Sequence, residues 1–553
     1  ERAYGYITAS YEIIPGLKIQ GRLNMDRAKY KGFTKRMATT QNVAAIEDYG
    51  MYGQDLIWSN DVYVDAMLSY NKEIKDFSVS ASAGWVGHTV KGETQKLWTR
   101  ATYFSYTDMN QLPTRINFFE PLASWGGSNM NEYSLSSKGL FFTGQVGYKD
   151  YVYLEGSYRQ DWYRAFKQFE YRGTPDNYGY FSVGANTLMH RYISLPEFIT
   201  HLKLRASIAS STYGYFDNPI PETSKSFEAG FDVSFFDSSL NWDLTYYHTG
   251  LYNNYFLQAT TGGKSKPVNT GLIRNQGIET TVSYSLGFAK DWMWRTSVNF
   301  SYNDNKIVKT FKDEQGKSSK LEQKIAGGNI VVRYDEGGSY GDMYALDFRR
   351  NDDGSIYLSS NGAPQLSNNS YVYLGNMNSK FQLGWGNTIS WKDLSLYFLV
   401  SGRIGGKVIS LTEAYLDYQG VSKRVGDARL AAEANPDLQW NGKPAMVMPD
   451  GNLAPIEEYY KAVGGNMFGS QYVYDATNFR LAELSLGYSF HNLFGGVISN
   501  LSLSVVGRNL FFIYKDAPVD PDIALSTKNG LGAFDIFNMP ATRSVGVNLK
   551  IDF

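Results

Sequence analysis

Cysteine is absent from the 553 residues. That excludes a disulfide framework, a thiolate metal site and thiol redox chemistry. Proline is scarce at 16 residues, and there are only 5 histidines. His88, His190, His201, His248 and His491 show neither i, i+4 nor clustered spacing, so a structural zinc site is not expected. No apolar run approaches the ~18 residues a membrane helix needs, and mean hydropathy is −0.36. Neither charge is in real excess, with Lys+Arg 53 against Asp+Glu 54. A nucleic-acid binder usually carries a basic surplus, so that class is set aside. The opening ERAYGYITASYEI has no basic-then-apolar leader pattern and enters a strand pattern at Tyr4.

What the chain does have is aromatic side chains: 43 Tyr, 32 Phe and 11 Trp, 16% of the total, with 54 Gly. Tyr and Phe favour strands, and Trp and Tyr favour membrane interfaces. A polar average without a membrane helix is compatible with a transmembrane β-barrel, whose strands spend every second residue on lipid. A soluble all-β protein gives the same totals.

Alternation separates the two. Phe227, Ala229, Phe231, Val233 and Phe235 oppose Glu228, Gly230, Asp232 and Ser234. Similar rows run through 240–246, 278–288, 292–302, 484–490, 501–505 and 545–553. One face of each is apolar and aromatic-tipped, and the other is polar, small or charged. Segments 225–236, 239–250, 277–289 and 292–304 exceed the ~5–6 residues of soluble strands. They suit a tilted crossing of about 9–11 residues with an overhang. Tight turns are expected at 12–17, 71–77, 147–152, 235–240, 287–294 and 390–396. Long connections are expected at 27–61, 91–138, 210–224, 251–276, 305–379, 406–477 and 510–542. From Leu202 to the C-terminus short and long connections alternate strictly, as they do in outer-membrane barrels. The expectation is an all-β, large antiparallel transmembrane barrel with long extracellular loops, occupying 1–553.

Roughly 17 strands are counted. The first and last both descend toward the short-turn side, so the number is odd, whereas single-chain bacterial barrels are even. The expectation is therefore the C-terminal part of a larger barrel, with its first strands upstream. Phe553 then anchors the last strand at the periplasmic rim and takes part in closure and assembly.

Catalytic patterns are poor, and no enzyme is expected. GGSYG (337–341) matches a nucleophile elbow but lacks the strand–turn–helix setting. GGKS (262–265) and QGKSS (315–319) lack the earlier glycine of a phosphate loop. RNDDGS (350–355) has the composition of a calcium loop without its closing glutamate. A hairpin turn fits it better, and calcium on an extracellular loop stays open; no other cofactor is expected. Trp58, Trp125, Tyr340, Tyr344, Tyr415, Tyr459 and Tyr460 are assigned to long loops. There they could meet substrate or a partner, or pack into small loop cores. Glu228, Asp232, Asp243, Glu279, Arg295 and Glu483 are assigned to the lumen-facing rows.

Several stretches then resemble a known family. YVYDATNFRLAELSLGYSF (472–490) and LSVVGRNLFFIYKDAPVDPDI…NMPATRSVGVNLKIDF (503–553) are similar to the late strands of SusC-like (SusC/RagA) TonB-dependent outer-membrane transporters. Asn509–Leu510 and Asp520–Pro521–Asp522 belong to that pattern. YLGNMNSKFQLGWGNTISWKDLSLYFLVSGRIGGKV (373–408), NQGIETTVSYSL (275–286), LKLRASIASS (202–211) and PETSKSFEAGFDVSFF (221–236) fit as well. The resemblance implies a 22-stranded barrel with a plugged lumen. It also implies a SusD-like surface lipoprotein as lid, a dimer of transporter–lid pairs, and energy from TonB through an N-terminal box. Signal, TonB box, plug and first strands find no counterpart in 1–553. The implied function is import of an oligosaccharide or oligopeptide too large for porins. A scaffold barrel anchoring surface lipoproteins and a passive porin-type channel are the alternatives.

Overall fold

The computed structural model describes residues 1–553 apart from 37–50, 101–126, 165–175, 214–220, 260–264, 270, 311, 313–320, 523–530, 540 and 553. The chain divides into two compact units, one essentially Glu1–Ala185 and the other from Asn186 onward. Of the 17 strands of the large antiparallel sheet, seven belong to the first unit and ten to the second.

The first unit holds β1 (Arg2–Ile14), β2 (Leu17–Arg36), β3 (Met51–Ile74), β4 (Phe77–Arg100), β5 (Gly127–Tyr148), β6 (Val152–Tyr163) and most of β7 (Asn177–Leu188). From β1 to β6 each strand pairs antiparallel with the next. Tight turns fall where Pro, Gly, Lys and Asp occur. At the first of them Gly16 takes φ +85°, and a Cβ there would sit 2.2 Å from the Asn71 carbonyl oxygen. β3 and β4 each have 24 residues. At about 3.3 Å per residue and ~40° tilt that is a rise of roughly 60 Å, twice a hydrocarbon core. These strands therefore extend well past the expected boundaries, and the connections expected at 27–61 and 91–138 shrink to within 37–50 and 101–126. The reason is that the overhanging parts alternate among Lys, Thr, Gln and Tyr. Beyond lipid a ladder needs no apolar row, so the hydrophobic period fades while the pairing continues.

The second unit holds β8 (Ile199–Tyr213), β9 (Glu222–Phe235), β10 (Leu240–Tyr252), β11 (Leu272–Ala289), β12 (Trp292–Lys309), β13 (Phe381–Trp391), β14 (Leu394–Ile404), β15 (Asn478–Leu493), β16 (Ile498–Lys515) and β17 (Ser544–Asp552). Each again pairs antiparallel with its sequence neighbour. The register keeps the apolar rows in phase across strands, as with Trp242↔Val282↔Val298↔Trp385. These side chains are partly exposed, at 37–41%, and they form one continuous apolar face. Leu503, Val505, Val547 and Leu549 continue it on β16 and β17.

The buried core lies elsewhere. It is built from the long connections: the strands at 322–333, 342–348 and 366–376, three helices, and residues 533–534. Ile273 and Ile307, at the loop ends of β11 and β12, join it. α1 (Leu411–Tyr418) begins at Ser410, whose hydroxyl accepts from Glu413 N. α2 (Lys423–Ala434) is capped in the same way by Ser422. α3 (Ile456–Gly465) follows Pro455 and carries Glu457 and Glu458 in its first turn. α1 and α3 meet at Gly464, where a Cβ would lie 2.3 Å from the Ala414 carbonyl oxygen.

Candidate functional site

The second unit's sheet has a polar face opposite its apolar rows. The register puts Glu228, Asp232, Asp243, Glu279, Arg295 and Glu483 all on it, through pairs such as Asp232↔Asp243, Thr245↔Glu279, Ser285↔Arg295 and Leu399↔Glu483. Asp232 and Asp243 are directly opposite each other, and two carboxylates there repel. Arg205 bridges them, reaching Asp232 Oδ1 at 2.7 Å, Asp243 Oδ2 at 2.8 Å and Thr245 Oγ1 at 2.6 Å. Glu483 Oε2 accepts from Arg508 Nε at 3.0 Å.

A cavity of about 500 Å³ opens on this face, bordered by Asp243, Glu279, Arg403, Arg480, Asn478 and Asp522. Asp522 comes from the β16–β17 connection. Its carboxylate is paired with Arg403 at 3.2 Å and Arg480 at 3.0 Å. The Asp520–Pro521–Asp522 triplet thus brings its loop onto the wall, and Asp520 Oδ1 accepts from Asp522 N at 3.0 Å to shape the turn. Arg205, Arg403 and Arg480 were missed as site residues; their signal was arginine at polar-row positions of otherwise apolar strands. Replacing Asp522 with Asn should leave two guanidinium groups facing each other without their shared anion. The expected cost is about 1–3 kcal/mol of local order, read as roughly 10- to 100-fold faster amide exchange at 516–522. Unchanged exchange there would contradict the clamp.

The loop aromatics go to several different places. Trp58 is not in a loop. It lies within β3 on the face of Val62, Val64 and Leu68, and its indole donates to Glu93 Oε2 at 2.9 Å. Tyr459 and Tyr460 are not displayed either, at 4% and 7% exposed on the buried side of α3. Ile456, Tyr459, Tyr460 and Val463 recur at helical spacing, and that period places them in the loop core. Tyr340 packs on Tyr334 at 5.0 Å between ring centroids. The Arg333 guanidinium lies over the Tyr344 ring at 4.7 Å and over the Tyr371 ring at 4.6 Å. Tyr415 is exposed on α1 and meets Phe537 edge-on at 5.3 Å. Trp125 and Phe553 lie outside the described residues.

Within the loop core, Asp417 is 1% exposed. Arg424 Nε donates to its Oδ1 at 2.9 Å, a second guanidinium nitrogen pairs with Oδ2, and Tyr472 Oη donates to Oδ2 at 2.9 Å. The guanidinium also lies over the Tyr472 ring at 4.6 Å. Burial and the adjacent carboxylate push the Tyr472 hydroxyl well above the usual tyrosine range.

Residues 350–355 close as a tight hairpin. Arg350 and Ile356 bridge, Gly354 has φ +86°, and Asp353 Oδ1 accepts from Ser355 N at 2.9 Å. The hairpin is tied down by Asp450, whose Oδ2 accepts from Ile356 N at 2.7 Å. Partial burial raises the Asp450 carboxyl, but hydrogen bonds from Ile356 and Asn452 outweigh it and hold the group below its ordinary value. A carboxyl lowered in the folded state stabilises above its unfolded value of about 3.9, and that contribution is lost as pH falls through the folded value. Exchange at 351–356, corrected for intrinsic rates, should therefore be flat from neutral pH to about 5 and rise below about 4. Asp450→Asn should show faster exchange already at neutral pH and a weaker acid response; a wild-type response already complete at pH 6 would contradict the assignment.

Comparison with known proteins gives a consistent result. The family described as TonB dependent receptor-like, beta-barrel matches residues 4–401. TonB-dependent receptor P39 of Formosa agariphila is 23% identical over 100% of this chain and 58% of its own length. TonB-dependent receptor P3 of the same organism is 24% identical over 60% of this chain and 34% of its own. The chain thus spans little more than half of the longest-matching of these relatives. Among solved structures, the RagAB peptide transporter superposes with a TM-score of 0.73 at 16% identity, covering 100% of this chain and 62% of that one. The ferripyoverdine receptor of Pseudomonas aeruginosa superposes at 0.51 with 12% identity, covering 100% and 56%. These structures share the fold, and the matched barrel family covers most of the chain. Strand pairing, the apolar face and the family match agree: this chain belongs to the TonB-dependent receptor-like β-barrel family and resides in the outer membrane.

Proposed function

We propose that the chain supplies the wall and extracellular loops of a TonB-energised importer that takes up large nutrients with a SusD-like surface lipoprotein. The observation that supports this reading is the polar face. Cationic Arg403 and Arg480 and anionic Asp243, Glu279 and Asp522 border one cavity of about 500 Å³. Charges of both signs suit the termini and side chains of an oligopeptide better than a neutral oligosaccharide. The matched RagAB protein is a peptide transporter, and oligopeptide is accordingly our first choice here. A lipoprotein lid would close over the loop core, where Tyr415 and Phe537 offer an exposed aromatic foothold. Such transporter–lid pairs would assemble as dimers.

Uptake of a fluorescent oligopeptide by cells making the full-length protein tests this. Uptake should require the protein, stop with an uncoupler, and fall roughly tenfold in Arg403→Ala/Arg480→Ala, on the scale of one lost charged contact. Uptake indifferent to the uncoupler would point to a passive channel. No uptake of peptide or glycan, with surface lipoproteins lost from the cell on deletion, would point to a scaffold.

A further inference from the structure

The apolar face of the second unit ends in a cationic rim. On β12 the outward row runs from Trp292 to Tyr302 and then turns polar at Asp304 and Lys306. Ten residue steps at about 3.3 Å and ~40° tilt rise roughly 25 Å, the height of an outer-membrane apolar band. The charged residues therefore begin where the hydrocarbon stops, on the long-loop side. Register aligns them across four strands: Lys225↔Gly250, Gly250↔Arg274 and Arg274↔Lys306. All share the outward parity of Phe227, Tyr246, Ile278 and Tyr302. With strands about 4.8 Å apart, three cations fall within about 15 Å of one another. Lys380, just before β13, adds a fourth beside Asp304 at 3.5 Å.

The carboxylates nearby are already engaged. Asp304 is shared by Lys380 and by Arg274 at 3.6 Å. Asp342 accepts from Ser339 N at 2.8 Å and Asn376 Nδ2 at 2.9 Å. Lys306 is exposed and has no ion-pair partner among the described residues, and the Nε of Arg274 is shielded without a hydrogen-bond partner. Lys225 is exposed and lies over the Tyr252 ring at 5.2 Å, an aromatic of the interface type. Arg274, Lys306 and Lys380 also line a cleft of about 470 Å³ together with Ser339 and Asn378.

We propose that this rim binds the phosphate groups of an outer-leaflet lipid headgroup. An aromatic ring at the band edge, a row of cations just beyond it in which Arg274 and Lys380 share the single carboxylate of Asp304 and Lys306 has no ion-pair partner among the described residues, and a polar cleft beside them match a headgroup whose acyl chains lie on the apolar face. A phosphorylated lipid satisfies both halves of the surface, and a soluble anion satisfies only one. The inference needs the outer-membrane setting but not the importer reading.

The test is native mass spectrometry of the full-length protein in detergent, titrated with bisphosphorylated lipid A and, separately, with phosphatidylcholine. Wild type should retain lipid A in preference. Lys225→Gln/Arg274→Gln/Lys306→Gln should bind it ~30- to 100-fold more weakly, on the scale of three interfacial cations. The sheet content by circular dichroism should be unchanged, and Lys203→Gln, on the polar face of β8 beside Asp232, should bind as wild type does. Equal retention in wild type and the triple variant would overturn the proposal, as would equal binding of phosphatidylcholine. Displacement of lipid A by millimolar inorganic phosphate would also overturn it, by making the rim a site for soluble anion.

Discussion

Arg424→Met is expected to melt the extracellular loop core while leaving the strands paired. Asp417 lies on α1 at 1% exposure and faces Arg424 of α2. Its charge is held by two guanidinium contacts and the Tyr472 hydroxyl. Methionine keeps most of the stem packing but leaves a buried carboxylate without its cation. Breaking such a pair costs about 3–5 kcal/mol, far more than the pair gains over an apolar replacement. The readout is amide exchange at 411–434 and 456–472, which should accelerate by several hundred-fold while β11–β15 stay protected. Asp417→Asn added to Arg424→Met should recover most of the loss, because the amide is uncharged and still accepts from Tyr472. Equal protection in wild type and the single variant would mean that the network carries little of the loop core.

Phe534→Ala should have an effect of similar size by a different cause. Phe534 is 0% exposed. It arrives from the β16–β17 connection, pairs in parallel with Ile409 and packs into the loop core beside α1. Ser410 Oγ donates to the neighbouring Asp535 at 2.9 Å, so one short segment fastens two distant connections. Truncation removes about 3–5 kcal/mol of transfer and cavity energy. Residues 531–539 and 407–410 should then become susceptible to protease together. Cleavage confined to one of the two segments would contradict their coupling.

The strand rows were legible because lipid on one face and polar groups on the other impose a strict period of two. Residues 227–235, 278–288 and 484–490 show that period and lie as expected. The short-turn side was legible for a related reason, since Pro15–Gly16, Lys75–Asp76, Asp237 and Asp291 fall at tight turns, where Gly16, Lys75, Asp237 and Asp291 take positive φ. The loop core was much harder to read. Its helices sit in connections where no repeated period announces them, and Tyr459 and Tyr460 read as display residues until the spacing from Ile456 to Val463 is set on a helix. Trp58 was misplaced because β3 continues beyond lipid, where hydrophobic contrast fades. The Arg403–Asp522–Arg480 clamp joins residues 42 to 119 positions apart. No local pattern encodes such a meeting, although the Asp520–Pro521–Asp522 triplet marked one of its sides.

Alternate residues of each strand face lipid, and those between face a polar interior. A chain without cysteine is suited to testing this, since single cysteines at successive positions 278–286 each carry one spin label. With the full-length protein in bilayers, accessibility to oxygen should peak at 278, 280, 282, 284 and 286. Accessibility to a water-soluble nickel reagent should be highest at the positions between. Uniform accessibility to the nickel reagent, or an oxygen profile out of phase with the Val282 row, would contradict a lipid-facing sheet and with it the outer-membrane barrel.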